Sequence, residues 1–386
     1  MLEKLQFLTG GESHGKALVG IIDGIPSGLD ITKEYIQSHM AMRQLGYGRG
    51  ARMDIEDDIA QIISGLRFGK TIGSPISIMI ENNDWNNWKD QMDVWEKGDQ
   101  MKRVTLPRPG HADLAGIIKY DLLDVRDVLE RASARETAMR VALATFPRKM
   151  INDLGISITG SVVGIGRVNA KNNLHESISI DEIIEKTSKS EVRCICSDSE
   201  LDMISEIDRS KQSGDSIGGM FEVYCDGLPY GLGSYGQWNK KLQSKISEMI
   251  MSINGIKGVE IGAGFHIAEK NGSKIHDEIS WDNGKYTRLS NNAGGIEGGI
   301  SNAQRLVVRA VMKPISTLTK PLSSIDIETK ESVGAHKERT DTCVVPAASV
   351  IAENLVSLVI ADSILSKFGG DSMCQLNRHY KESAKF

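Results

Sequence analysis

Cysteine is scarce in this chain, with five in 386 residues, at positions 194, 196, 225, 343 and 374. So few, and odd in number, they exclude a disulfide framework and fit a reducing compartment. Cys194-Ile195-Cys196 lacks a second ligand pair, so no metal site is expected. No segment is expected to supply the roughly 20 apolar residues of a membrane span. The amino terminus carries Glu3 and Lys4 with no apolar core of a secretion signal, which points to the cytoplasm. A formal net charge of −5 gives no reason to expect nucleic acid or an acidic membrane as partner, so an anionic ligand must be met by local arginines. Linker-like tracts, internal repeats and low-complexity segments are also missing. Length alone suggests two or three domains, yet nothing marks a boundary between them. There is no Gly-x-Gly-x-x-Gly opening a helix after a strand and no Walker sequence, which removes support for a Rossmann or P-loop nucleotide site.

Periodicity is clearer. Helical spacing is predicted over 32–43, 134–146, 181–189, 201–211, 238–253 and 347–368. Thr32 suits an N-cap, and Gly369-Gly370 follows the last helix where a left-handed C-cap belongs. In that helix Ile351, Leu355, Leu358 and Leu365 share one face, with Glu353 off it and Asp362 within it, the pattern of a core helix. Strands are predicted over 17–23, 76–81, 156–163, 220–225 and 306–312. In the last, Leu306, Val308, Ala310 and Met312 alternate with a mixed face, the mark of a half-buried strand. Strict βαβ alternation is absent, so the class is α+β or a layered arrangement of sheets and helices.

Chemistry is suggested by two histidine loops, Gly11-Glu12-Ser13-His14-Gly15 and Arg108-Pro109-Gly110-His111-Ala112-Asp113, and by the run Arg131-Ala132-Ser133-Ala134-Arg135-Glu136-Thr137. Glycine beside His14 lets backbone amides approach a ligand, and Pro109-Gly110 pre-sets a turn presenting His111. Imidazole is the side chain suited to proton transfer near neutral pH. A turn histidine that bonds its own loop is the alternative for either one alone. Arg43, Arg49 and Arg52 flank Gly46-Tyr47-Gly48-Arg49-Gly50, and Arg108, Arg131, Arg135 and Arg339 sit in the other unusual loops. Guanidinium forks bind carboxylate and phosphate bidentately, so a ligand with several anionic groups fits. The glycine-rich stretch 291–302 leads into the mixed strand and then Lys313-Pro314-Ile315-Ser316-Thr317, a plausible seat for a phosphate-bearing cofactor. Asp341, beside Arg339, gains interest only in this company.

Together these segments resemble chorismate synthase. The resemblance runs from Gly10 to about Phe368 and rests on the two histidine loops, Ser133-Ala134-Arg135-Glu136-Thr137-Ala138-Met139-Arg140, Ser252-Ile253-Asn254 with Lys257-Gly258-Val259-Glu260, and Gly298-Gly299-Ile300-Ser301-Asn302 with Lys313-Pro314. It implies a lyase of the shikimate pathway, serving aromatic amino acid biosynthesis, that converts 5-enolpyruvylshikimate 3-phosphate to chorismate and phosphate. Reduced FMN is required without net redox change; the sequence leaves open whether the chain reduces its own flavin with a nicotinamide or depends on an external source, for which NADPH is the expected reductant. By resemblance His14 assists the departing phosphate, His111 serves the reduced flavin near N1, and Asp341 works with flavin N5 in taking the C6 proton. Substrate would meet Ser13, Arg43, Arg49, Arg52, Arg108, Ser133, Arg135 and Arg339. Flavin would meet Arg131, Ala132, Ser133, Asn254, Gly255, Gly298, Lys313, Pro314, Ile315, Ser316, Thr317 and Arg339.

The same resemblance implies one domain over residues 1–386, a layered sandwich of helices between antiparallel β-sheets, and a homotetramer. Ala132 replaces a second serine common in the family, Asn302-Ala303-Gln304 replaces Asn-Gly, Thr340-Asp341-Thr342 replaces His-Asp-Pro, and Asn239 replaces an aspartate. Two other classes remain open on sequence: a flavin-binding module without turnover, and a simple flavin oxidoreductase.

Overall fold

The structure is a computed structural model that describes residues 2–50, 56–99, 101–170, 174–282, 284–338 and 340–383. Helices and antiparallel sheets are mixed along the chain, as an α+β class requires. In the first sheet β1 (Gln6–Gly10), β2 (Ala17–Asp23), β3 (Gln61–Ile62) and β4 (Ile76–Glu81) lie in the order β1-β2-β4-β3. The second comprises β5 (Ser157–Ile165), β6 (Val168–Asn169), β7 (Gly219–Asp226), β8 (Ile256–Ile261) and β9 (Leu306–Met312), in the order β8-β9-β7-β5-β6. Alternation fixes the register: Leu306, Val308, Ala310 and Met312 of β9 are buried, while Val311 is 40% exposed.

Four helices carry the interior: α1 (Lys33–Gln44), α2 (Thr137–Asp153), α3 (Leu242–Met251) and α4 (Val345–Phe368). The helix α2 packs on β2 and β4, and α4 packs on α2 and on β5 and β7. Two glycines permit this closeness. A Cβ at Gly20 would lie 2.6 Å from the Met139 side chain, and one at Gly160 would lie 2.8 Å from the Ser349 carbonyl oxygen. One continuous apolar cluster then runs from Leu5 to Leu376, drawing on both sheets and all four helices.

The predicted elements are present, with shifted ends. Thr32 caps α1 by accepting from the Tyr35 N–H at 3.2 Å. The pattern ending at Phe146 continues through Pro147 to Asp153, because Met150 and Ile151 beyond the proline are fully buried. The expected helix over 238–253 is broken: Lys241 is extended, the Leu242 N–H donates to the Gly299 carbonyl, and α3 starts there. Gly369 ends α4 at φ +65, but its ψ of −164 is a glycine-only conformation rather than a left-handed cap.

Two expectations for α4 need correction. At 24 residues, with a mean hydropathy of 1.7 over its most apolar window, it is long and apolar enough to cross a membrane, yet that window is wholly buried in the fold. Nor does Glu353 leave the core. It receives Arg148 Nη1 at 2.9 Å, Arg193 Nη2 at 2.8 Å and the Gly160 N–H at 2.5 Å. Asp362, two and a half turns on, accepts the N–H groups of Glu3, Lys4 and Leu5 at 2.8, 2.7 and 3.1 Å. Lys245 Nζ of α3 completes its set at 3.3 Å.

Two stability changes follow. Asp362→Ala leaves three backbone donors without their acceptor and the buried Lys245 ammonium with Glu3 alone, so it should destabilise by about 3–5 kcal/mol; a urea midpoint within error of the parent protein's would refute the anchoring role. Ala303 sits at φ +60 in the exposed turn before β9, a backbone conformation that favours glycine. Ala303→Gly should therefore stabilise by about 1 kcal/mol, and a lowered midpoint would show that the turn is not strained.

Candidate active site

A cavity of about 650 Å³ opens where the Ser13 loop, the end of α1, the Arg108 loop, the Ser133 turn, the Asn254 loop, the segment after β9 and the start of α4 converge. Of the expected site residues, Ser13, His14, Arg43, Arg49, Arg108, His111, Ala132, Ser133, Arg135, Asn254, Gly255, Lys313, Pro314, Ile315, Ser316, Thr317 and Asp341 line it. Arg52 and Arg339 lie outside the described residues. Lys257, expected only as part of a sequence motif and not as a site residue, and Glu338, which no sequence signal marked, also line the cavity.

Each histidine rests on a carboxylate. His14 Nδ1 is 3.0 Å from both oxygens of Glu130, whose side chain is fully buried. The imidazole stacks on Trp88 with centroids 3.9 Å apart and planes inclined by 20°. His111 Nδ1 lies 2.5 Å from Asp113 Oδ1, and Arg108 Nε donates to the other Asp113 oxygen at 2.9 Å. Burial alone would raise the Asp113 carboxyl, but the bonds from His111 and Arg108 outweigh it and hold it far below the usual range. Ser13 Oγ donates to Ser133 Oγ at 3.1 Å, and Ser133 in turn caps the turn that presents Arg135.

The arginines are already engaged. Arg43 is buried and donates from Nη1 to Asp58 at 3.0 Å, from Nε to the Thr137 hydroxyl and from Nη2 to the Ala134 carbonyl. Burial, the largest influence, pulls its guanidinium down to about 10, so it stays cationic at neutral pH. Arg135 pairs with Asp58 and Glu56 and donates to Asn82 Oδ1 at 3.1 Å. These two expected ligand cations thus lend positive potential from fixed positions rather than as loose forks. Arg49 Nη1 is 3.3 Å from Asp341 Oδ2, while Asp341 Oδ1 accepts the Gly50 N–H at 2.5 Å. Glu338 lies 3.5 Å from Arg108. Burial would raise Glu338, but the adjacent His336 ring and the Arg108 charge bring it down to about 2.

On the opposite wall Lys313 Nζ donates to the Gly110 carbonyl at 2.6 Å and to Ser316 Oγ at 2.9 Å. Burial and the nearby Lys257 lower its ammonium. Asn254 donates to the Ala132 carbonyl at 3.0 Å, while its buried Oδ1 has no partner among the described residues, an acceptor suited to a ligand N–H. Ile253, Met312, Ile315, Val344, Ala347 and Ile351 supply apolar surface beside these groups. A flat ring carrying polar edges and a phosphate tail fits such a wall, with Lys257, Lys313, Ser316 and Thr317 toward the anion.

Two expected cofactor contacts are not brought here. Gly298 lies in the tight hairpin joining Ile296–Glu297 to Ile300–Asn302, where Gly294, Gly295, Gly298 and Gly299 all take positive φ to turn the chain. The glycine-rich stretch thus serves the chain as a turn, and Gly298 is not among the residues lining this cavity. Arg131 spends its guanidinium on the carbonyls of Gly11 at 3.1 Å and Thr9 at 3.0 Å, and so braces the His14 loop from behind. Glu130, directly before the Arg131 run, Trp88, and the pair Glu56 and Asp58 went unnoticed because single carboxylates and tryptophans in polar loops carry no spacing signal.

Comparison with known proteins accords with this geometry. The family model for chorismate synthase matches residues 5–365. Chorismate synthase of Alkaliphilus metalliredigens is 50% identical over 377 residues, covering 97% of this chain and 98% of that protein. The enzyme of Listeria welshimeri is 48% identical over 382 residues, with 98% of each chain covered. A solved crystal structure of chorismate synthase superposes with a TM-score of 0.81 at 39% identity, covering 100% of this chain and 98% of that one. The chain belongs to the chorismate synthase family and is, with it, a lyase.

Proposed function

We propose that this cavity eliminates phosphate from 5-enolpyruvylshikimate 3-phosphate to give chorismate, with reduced FMN bound beside the substrate and no net redox change. The observation that carries the reading is the convergence on one cavity of two carboxylate-backed histidines, Asp341, and cations drawn from residues 43 to 313. Six cationic side chains and two carboxylates line it among the described residues, which suits a substrate with two carboxylates and a phosphate. A site assembled from the whole length of the chain also supports one domain over residues 1–386, and the packing of α2 and α4 supports the family's sandwich of helices between antiparallel sheets.

The residues divide the work by position. Arg49 and Arg108, with Arg52 and Arg339, hold the substrate anions; Arg43 and Arg135 set the local potential, and Ser13 and Ser133 donate hydrogen bonds. Reduced flavin, if bound here, would supply transient electron donation to the substrate without net redox change. Asn254, Gly255 and the Lys313 to Thr317 segment hold that cofactor, with the Ala132 and Ser133 backbone against it. His111, fixed by Asp113 and Arg108, bonds the ring. As the allylic C–O bond breaks, His14 passes a proton from Nε2 to the leaving phosphate, and Asp341 takes up the C6 proton as the new double bond forms. One proton is given and one taken, so the net charge of the site is unchanged, and Asp341 must lose its proton and His14 regain one before the next turnover.

The five described cysteines are all free, which supports work in the reducing cytoplasm, with reduced flavin supplied by an NADPH-dependent source. Exposed apolar groups support the homotetramer: Leu8, Val19 and Ile21 on the outer face of the first sheet, and Trp281 and Tyr286, paired across the hairpin of Ile279–Asp282 and Lys285–Arg288.

The test is anaerobic turnover with photoreduced FMN, following chorismate and phosphate together. The parent protein should release both in equal amounts over many turnovers. His14→Ala should lower kcat by about 10²-fold or more while flavin still binds, and Asp341→Asn should assemble the ternary complex yet turn over slowly. Unequal products would defeat the assignment, and undiminished rates in either variant would remove that residue from the proton path.

A further inference from the structure

The geometry points to Glu130 as a positioning residue that sets the tautomer and orientation of His14; this rests on the reading of His14 as proton donor. Glu130 follows the short helical turn Arg126–Leu129, and its carboxylate, fully buried, takes three kinds of donor at once. The His14 backbone N–H donates to Oε2 at 2.8 Å, His14 Nδ1 lies 3.0 Å from each oxygen, and Arg126 Nη1 donates to Oε1 at 3.0 Å. The Glu130 main chain joins in by accepting the Ser13 N–H at 3.1 Å. One residue thereby grips the catalytic loop by backbone and side chain together.

The ring cannot turn out of this hold. Trp88 covers one face of the imidazole at 3.9 Å. Trp88 is itself fixed by its Nε1–H bond to Asp84 at 3.0 Å and lies 5.0 Å from the Arg126 guanidinium. With Nδ1 committed to Glu130, Nε2 is the nitrogen left to serve the cavity, and no bond to it is found among the described residues. An ionised acceptor demands a proton on Nδ1. The imidazolium then carries its second proton on Nε2, where the leaving phosphate can receive it. After transfer the neutral ring keeps Nδ1–H against Glu130, so the ring nitrogens never exchange roles. Arg126 Nη1 gives the same carboxylate a cationic donor at Oε1. An amide at 130 would reverse the polarity: its NH2 would face Nδ1 and favour the Nε2–H tautomer, a far weaker acid than the imidazolium.

The experiment is a double-mutant cycle joined to nitrogen NMR of the His14 ring. Glu130→Gln should lower kcat about 10²-fold while KM changes less than about threefold. In a His14→Ala background the same substitution should change kcat less than about twofold, because its effect acts through the imidazole. The neutral His14 ring should carry its proton on Nδ1 in the parent protein and on Nε2 in Glu130→Gln. Glu130→Asp keeps the anion, so it should retain the parent tautomer and most of the rate even where the glutamine variant folds poorly. Equal losses in both backgrounds, or an unchanged tautomer in Glu130→Gln, would reduce Glu130 to a structural brace and overturn the inference. A parent protein without chorismate turnover would defeat the functional reading, while the tautomer measurement would still decide the role of Glu130.

Discussion

The rest of the structure hangs on a 24-residue helix, α4, that is buried along nearly its whole length and carries two carboxylates inside the core. Apolar burial stabilises such a helix, but it does not fix its rotation or its height, because a helix apolar all round has no preferred face. Glu353 and Asp362 supply that missing specification. Glu353 takes two guanidiniums and a strand N–H from the second sheet, while Asp362 takes three successive N–H groups from the start of the chain and the Lys245 ammonium. Each anion is satisfied only in one register, so buried charge here selects a geometry at a cost in desolvation. Asp341 and Thr340 precede this helix by a few residues, Val344 stands at its start, and Ala347 and Ile351 face the cavity from its first turns. The helix therefore transmits the alignment of both sheets directly to the site.

Within the cavity the same economy recurs in polar form. Nearly every functional side chain has a fixed partner: His14 with Glu130, His111 with Asp113, Arg108 with Asp113, Arg43 and Arg135 with Asp58, and Asp341 with Arg49. Groups locked before the ligand arrives need little reorganisation as charge moves, which is how a preorganised site stabilises a developing phosphate anion. The four carboxylates standing behind the lining, Glu56, Asp58, Asp113 and Glu130, temper its positive charge while holding the cations and imidazoles in place. They convert a loose cluster of bases into an oriented one.

Much of this was legible in the sequence, for reasons that can be stated. The strands around Leu306 and Ile76 and the helix after Thr32 were readable because one face of each is buried and the other is not. The histidine loops stood out because glycine, proline and arginine adjoin imidazole in few other settings. The strand Gln6–Gly10 escaped because Leu8 is 75% exposed, which spoils the alternation. The strand Ile256–Ile261 escaped because Gly258 interrupts it beside an irregular register. The glycine-rich stretch around Gly298 could be read two ways, since positive φ serves a hairpin as well as an anion cradle, and the hairpin is what the fold shows. The carboxylates behind the site escaped most completely. Glu130 reaches His14 across 116 positions, and Glu353 reaches Arg148 across 205. No local pattern encodes a contact at that separation; only the closed fold supplies it.

The central claim is that one cavity, walled by residues 13 to 351, receives substrate and flavin together. The most direct measurement is a crystal structure of the protein with oxidised FMN and 5-enolpyruvylshikimate 3-phosphate. The account predicts the substrate phosphate within hydrogen-bonding reach of His14 Nε2 and the flavin phosphate near Lys313 and Ser316. Flavin or substrate bound on the far side of the second sheet, or a phosphate that His14 cannot reach, would contradict it.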